Sequence, residues 1–239
     1  LKYTWASAYE TVSDIDTENK TVRVTNSYGH GIVPETPYCI FNAPEELDMQ
    51  GEYYISPEGV LYMYPNPDID FANATIEIPN TDVTLFNIAA GNPVVIKDLT
   101  ISNSYGAAVS GSNNVTLDGC NIAQTKTGVW LGGNCTINNC DIYNLTHRAV
   151  SLDGGDRITL TPSGTSITNS HIHKWALSNL CFETGITLSG VGILVAHNEI
   201  DSASYIGLWY TGNNHIIEYN EIYNVALDVS DSGAIYCGR

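Results

Sequence analysis

The sequence predicts an all-β solenoid, a right-handed parallel β-helix of about six coils, on three observations. First, one short phrase recurs: Val115-Thr116-Leu117-Asp118-Gly119-Cys120-Asn121-Ile122, then residues 136–142, 167–172, 195–200 and 217–222, with a degenerate copy at 96–101. Its closing isoleucines stand at 101, 122, 142, 172, 200 and 222, so the period is near twenty residues except for two stretched intervals of 30 and 28. Second, apolar and polar residues alternate within each copy, the period of a strand with one face inside, and helical spacing is absent. Third, a second strand follows each phrase at a nearly fixed offset, as in Gly128-Val129-Trp130-Leu131, Ala149-Val150-Ser151-Leu152 and Gly207-Leu208-Trp209-Tyr210. Units of this kind bury their apolar sides only by stacking on one another. Leucine-rich repeats share the period, but their Leu-x-x-Leu-x-Leu frame is missing.

In chain order, residues 1–93 read as a β-rich lead-in packed on the helix, and 94–239 as the helix itself. Strands are expected at Thr21–Thr25 and Thr75–Pro79. Gly51–Ile55 and Val60–Tyr64 flank Ser56-Pro57-Glu58-Gly59, a hairpin turn signal. Pro44–Leu47 offers one helical turn, and Val83–Phe86 joins the first full coil. Six coils at about 4.8 Å each would stack to about 29 Å. Two residues before each closing isoleucine lie Leu99, Cys120, Cys140, Ser170, Asn198 and Asn220, an expected inward or corner ladder with asparagines bonding along it and to the turn backbone.

Nine basic against 26 acidic residues give a net charge of −17, which argues against nucleic acid or anionic lipid as a partner. The six cysteines are too sparse for a disulfide framework and have no zinc-site spacing, so no metal is expected from them. Cys120 and Cys140 share a ladder position, where a thiol serves as a small buried group. No apolar run approaches the length of a membrane span. Low Lys+Arg with much Asn, Thr, Gly and Tyr suggests an extracellular or cell-surface protein, and a monomer is expected. The chain starts at Leu1 and stops at Gly238-Arg239 in mid-phrase, so a longer protein with further coils is expected.

The second strands hold the candidate chemistry. Alternation points Val109, Trp130, Ser151, Thr187, Trp209 and Tyr236 outward, with the small residues Gly128, Ala149, Gly185, Gly207 and Ala234 beside them. This describes a shallow groove for a chain of sugar rings, unless Trp130 and Trp209 pack under long loops. The first stretched interval contains Asp153-Gly154-Gly155-Asp156-Arg157, in which the guanidinium would keep the Asp156 carboxylate ionised or clamp the loop. The second contains Lys174-Trp175-Ala176, putting Trp175 beside the groove. Insertions in a solenoid emerge as loops, often on the working side. Asp231 directly precedes the last strand and belongs at the groove edge, and His197, next to ladder Asn198, is the best placed histidine. With no serine-nucleophile, phosphate-loop or metalloprotease motif present, acid/base chemistry by carboxylates remains.

At these residues the chain resembles the right-handed β-helix carbohydrate-active proteins of bacteria, and more narrowly those grouped as glycoside hydrolase family 141. The matching phrases are Gly51-Glu52-Tyr53-Tyr54, Gly59-Val60-Leu61-Tyr62-Met63-Tyr64-Pro65, Gly154-Gly155-Asp156-Arg157, His197-Asn198-Glu199-Ile200 and Asp231-Ser232-Gly233-Ala234-Ile235-Tyr236. The resemblance implies a glycosidase acting on a poly- or oligosaccharide, and it raises the weight on Asp156 and Asp231 as its carboxylates. Arg157, His197, Trp130, Trp209, Tyr236 and Trp175 would hold the substrate. No cofactor is implied, with Ca²⁺ expected only if the enzyme is a polysaccharide lyase. A non-catalytic, glycan-binding adhesin is the other class this sequence allows.

Overall fold

The computed structural model describes residues 5–25, 38–79 and 81–237. The chain forms two compact units, residues 1–34 with 79–239, and residues 35–78. Among the described residues, no helix is long and apolar enough to cross a membrane.

In the larger unit, strands β1 (Val12–Asp16) and β2 (Thr21–Val24) form an antiparallel hairpin. The smaller unit has one 3-10 turn at Pro44–Glu46 and the hairpin β3 (Tyr53–Ile55) and β4 (Leu61–Met63). Its turn closes where Gly59 N–H donates to Ser56 C=O, with Gly59 at φ 81°, so the Ser-Pro-Glu-Gly signal forms the expected turn. The Asn42 side chain ties this hairpin from outside, accepting from Ile55 N–H and donating to Ile55 C=O. Residues 74–79 form no strand, contrary to expectation. Gly238 and Arg239, where the sequence stops in mid-phrase, lie outside the described residues.

The rest of the larger unit is a parallel β-helix. It opens with β5 (Phe86–Ile88), β6 (Val94–Lys97), β7 (Thr100–Asn113), β8 (Val115–Asp118) and β9 (Asn121–Gly133). Three regular coils follow: β10 (Thr136–Asn138), β11 (Asp141–Tyr143) and β12 (Val150–Leu152); β13 (Ser166–Thr168), β14 (His171–His173) and β15 (Ile186–Leu188); β16 (Leu194–Ala196), β17 (Glu199–Asp201) and β18 (Leu208–Tyr210). The last coil is β19 (Ile216–Glu218), β20 (Glu221–Tyr223) and β21 (Ile235–Cys237). These strands make three faces. Face A is the sheet β6-β8-β10-β13-β16-β19. Face B runs β7-β9-β11-β14-β17-β20, and face C runs β5-β7-β9-β12-β15-β18-β21, the two joined because β7 and β9 are long enough to turn the corner.

Register stacks like on like. The closing isoleucines Ile101, Ile122, Ile142, Ile172, Ile200 and Ile222 pair in one column of face B. Leu117, Ile137, Ile167 and Val195 do the same in face A, and Val109, Val129, Val150, Ile186 and Leu208 in face C. All of these face-A and face-C residues are buried in one continuous core with the first five isoleucines. Trp175 joins that core at 1% exposure, so its ring is a filler and not the groove-side contact expected of it.

Faces A and B meet at the same two-residue corner in every coil. Its first residue is Asp98, Gly119, Asn139, Asn169, His197 or Tyr219, each with φ between 51° and 64°. This left-handed conformation suits Gly, Asn and Asp and costs His and Tyr about 1–2 kcal/mol. The second residue is the predicted ladder. Asn198 Oδ1 accepts from Ser170 N–H (3.0 Å) while its amide donates to Ile167 C=O (3.0 Å), and Asn220 repeats the pattern with Asn198 N–H and Val195 C=O. Each asparagine thus pairs corner groups that the sheets leave unpaired. Cys140 sits in the same column, where burial pushes its thiol up to about 11. None of the six cysteines is in a disulfide.

Two substitutions test this core. Ile172→Ala should cost about 3 kcal/mol through cavity formation, and Asn198→Ala about 2 kcal/mol by stranding two buried backbone groups. Urea unfolding followed by circular dichroism measures both, and an unchanged midpoint for Asn198→Ala would refute the ladder's contribution.

Candidate functional site

The outer side of face C carries the column from which the sequence suggests a groove, with one member replaced. Register aligns Ser110, Trp130, Ser151, Thr187, Trp209 and Tyr236. Val109 is not among them; it is fully buried in the inward column. The cause is a bulge between Ser104 and Ala107, which adds one residue to β7 and moves everything after it by one position. Trp130 is 46% exposed, whereas Trp209 and Tyr236 are half-buried against Cys181, Tyr205, Ile206 and Val229. The two tryptophans thus differ, Trp130 presenting an open ring and Trp209 packing under loops.

The small residues at the start of each face-C strand serve stacking instead of opening the groove. A Cβ on Gly185 would lie 2.6 Å from the Gly207 carbonyl and 3.0 Å from the Trp175 ring, and Ala149 is fully buried.

The two stretched intervals leave from opposite edges of face C. Residues 153–165 follow β12 at the exit edge, and residues 174–185 precede β15 at the entry edge. The entry-edge loop is clamped: buried Glu183 accepts from Arg148 Nε (3.2 Å) and from Asn179 Nδ2 (3.3 Å), and Ser7 donates to Asn179 Oδ1 (3.2 Å). Nothing in the sequence singled out Glu183, whose partner lies 35 positions away. The loop before β21, residues 224–234, lies on the same entry edge and holds Asp231, which accepts from the Tyr236 hydroxyl at 2.9 Å. Burial, followed by the nearby Cys181 and Asp231, pushes the Tyr205 hydroxyl up.

Asp156 does not meet Asp231. It lies at the exit edge, and a strand three residues wide, about 10 Å, separates the two edges. Its carboxylate accepts from Ile158 N–H (2.8 Å) and Thr159 N–H (3.4 Å), which holds it below the usual carboxylate range. Its backbone pairs with Thr161, closing a small hairpin. Arg157 turns away from it and donates to Asn213 Oδ1 at 3.4 Å. Asp156 thus caps a loop turn, and the expected ion pair with Arg157 is replaced by backbone N–H groups. His197 stands at the A–B corner, exposed and stacked on Tyr219 (5.0 Å), with face B between it and face C.

A second cluster, on the outer side of face B, was not foreseen. Asp141, His171, Glu199 and Glu221 form one column, and Tyr143, His173, Asp201 and Tyr223 the next. His171 Nε2 lies 2.6 Å from Asp201 Oδ2, His173 Nε2 lies 3.0 Å from Asp141 Oδ1, and the two imidazoles stack at 4.0 Å. Burial of Asp201 opposes its charge, but hydrogen bonds from Ser202 and His171 outweigh it and hold the carboxyl below its ordinary range. The residues either side of each closing isoleucine, read down the copies, are the signal that would have found this cluster. An open hollow of about 400 Å³ lies at the last two coils, lined by Tyr210, Gly212, Asn214, His215, Ile217 and Ile235.

Residues 62–163 match the family model described as right handed beta helix region. Neither the curated proteins nor the solved structures compared with the chain gave a match. The match and the parallel sheets together make this a right-handed parallel β-helix. That fold serves glycosidases, lyases and adhesins alike, so function rests on the sites.

Openness of the groove floor is measurable. Iodide should quench Trp130 most strongly, so Trp130→Phe should remove most of the quenchable fluorescence, while Trp175 contributes only unquenched signal. An unchanged quenching curve for Trp130→Phe would place that ring under cover.

Proposed function

We propose that the protein is a carbohydrate-active β-helix of the glycoside hydrolase kind, secreted or displayed at the cell surface as a monomer. A poly- or oligosaccharide would lie along the outer side of face C. The supporting observation is the column Trp130–Ser151–Thr187–Trp209–Tyr236, bordered by a long loop on each edge. Flat aromatic faces with a polar rim suit the apolar faces of sugar rings. The resemblance to glycoside hydrolase family 141 supports the same reading through the Asp231–Tyr236 phrase.

Hydrolysis needs two carboxylates, one protonating the glycosidic oxygen and one acting as nucleophile or base. Asp231 is one member of the pair, held toward the floor by Tyr236. Asp228, exposed on the same loop, is the second member of the proposed pair in place of Asp156. A net charge of −17 disfavours anionic uronates, which argues for a neutral glycan and against the lyase.

The test is release of reducing ends from a panel of polysaccharides and oligosaccharides. Asp231→Asn and Asp228→Asn should each lower kcat at least about a hundredfold while oligosaccharide binding persists. Asp156→Asn should leave the rate unchanged, and Trp130→Ala should weaken binding about tenfold. Binding without new reducing ends in the parent would favour an adhesin, and absorbance from unsaturated uronides a lyase. Failure of the parent both to bind and to cleave any member would sink the proposal.

A further inference from the structure

We propose that Asp141, His171 and His173 form a binding site for a divalent transition metal ion of the zinc kind, on the outer side of face B. The site is independent of the groove on face C. Candidate ligand atoms of this trio all lie within 4.8 Å of one another. Asp141 Oδ1 is 3.0 Å from His173 Nε2 and 3.9 Å from His171 Nδ1. Tetrahedral zinc with bonds of about 2.0–2.2 Å holds its ligand atoms about 3.3 Å apart, between these two distances.

The outer partner of His171 is already in place. Its Nε2 meets Asp201 Oδ2 at 2.6 Å, and Asp201 is buried and bonded to Ser202. A neutral His171 that donates its Nε2 proton to Asp201 presents the lone pair of Nδ1 to the site. This is the carboxylate–histidine–metal arrangement that orients imidazole ligands. The trio lies on β11 and β14 and Asp201 on β17, so three successive coils would join at one ion.

A second grouping, His171 with Glu199 and Asp201, also has suitable spacing. It is the weaker choice, because His171 Nε2 is engaged by Asp201 and Glu199 accepts from the Tyr223 hydroxyl at 2.5 Å. The imidazoles are parallel, within 15°, so ligation requires them to splay. The second torsion of histidine is broad enough to permit this. Two nitrogens and one carboxylate select zinc, cobalt or nickel over calcium and magnesium, which take oxygen ligands. Three protein ligands leave the fourth position open to water or to an oxygen ligand.

The experiment uses the full chain without an affinity tag, stripped with a chelator and titrated with Zn²⁺ by calorimetry. Co²⁺ serves as the visible-absorbance probe. One ion per chain should bind, with Co²⁺ giving the absorption of low-coordinate sites, and excess Ca²⁺ should not displace it. His173→Ala and Asp141→Ala should each weaken binding by about a hundredfold or more, and Asp201→Asn by about ten- to a hundredfold. His197→Ala, at the A–B corner and outside the trio, should bind like the parent. Should a variant fail to fold, imidazole NMR of the parent decides: Zn²⁺ should shift the His171 and His173 signals and leave those of His197 in place. Absence of one-to-one binding, undiminished binding in folded His173→Ala, or unshifted His171 and His173 signals would each overturn the proposal.

Discussion

The structure depends on backbone hydrogen bonds between consecutive coils, which lock each strand about 4.8 Å from its equivalent in the next turn. That spacing permits no drift. A residue in one coil must sit over the residue in register with it, so six isoleucines form a single column and five side chains no larger than asparagine line one corner. Small residues at Gly128, Gly185 and Gly207 follow from the same constraint, since a Cβ at each would meet a carbonyl of the next coil at 2.4–2.7 Å. The same stacking multiplies function-bearing groups. Trp209 comes to rest beside Tyr236, and His173 beside Asp141 and Asp201, without any of them being neighbours in the chain.

Much of the fold was legible because period-two alternation and the twenty-residue repeat are local signals that stacking only reinforces. The corner ladder followed from alignment of copies alone. Val109 differs because the bulge in β7 adds one residue that alternation cannot reveal, so Ser110 takes the place beside Trp130. Trp175 failed because an aromatic in a stretched repeat can fold inward as readily as outward, and the space left by Gly185 draws it in. The pair Asp156 and Asp231 failed for a different reason. A sequence shows that a repeat is lengthened but not at which edge of the strand the extra residues emerge, and these two loops leave face C in opposite directions.

The face-B cluster marks the complementary lesson. Its residues stand in the most regular part of the chain, flanking the isoleucines that define the repeat, where a histidine reads as a hydrogen-bonded member of a stack. In a solenoid the outward side of a structural strand is also a surface, and its columns bring together side chains 30 residues apart at the separation of hydrogen bonds.

The invariant corner between faces A and B also determines where this architecture can change. It takes two residues in every coil, with a left-handed first residue and a bonded second, and has no slack for a longer connection. All the length variation after the first two coils is taken up on the two edges of face C. Divergence by insertion, natural or engineered, is therefore channelled to that face, which can acquire new recognition loops without disturbing the pitch. Face B borders the corner that admits none, so along that edge it can evolve only by exchanging one side chain for another.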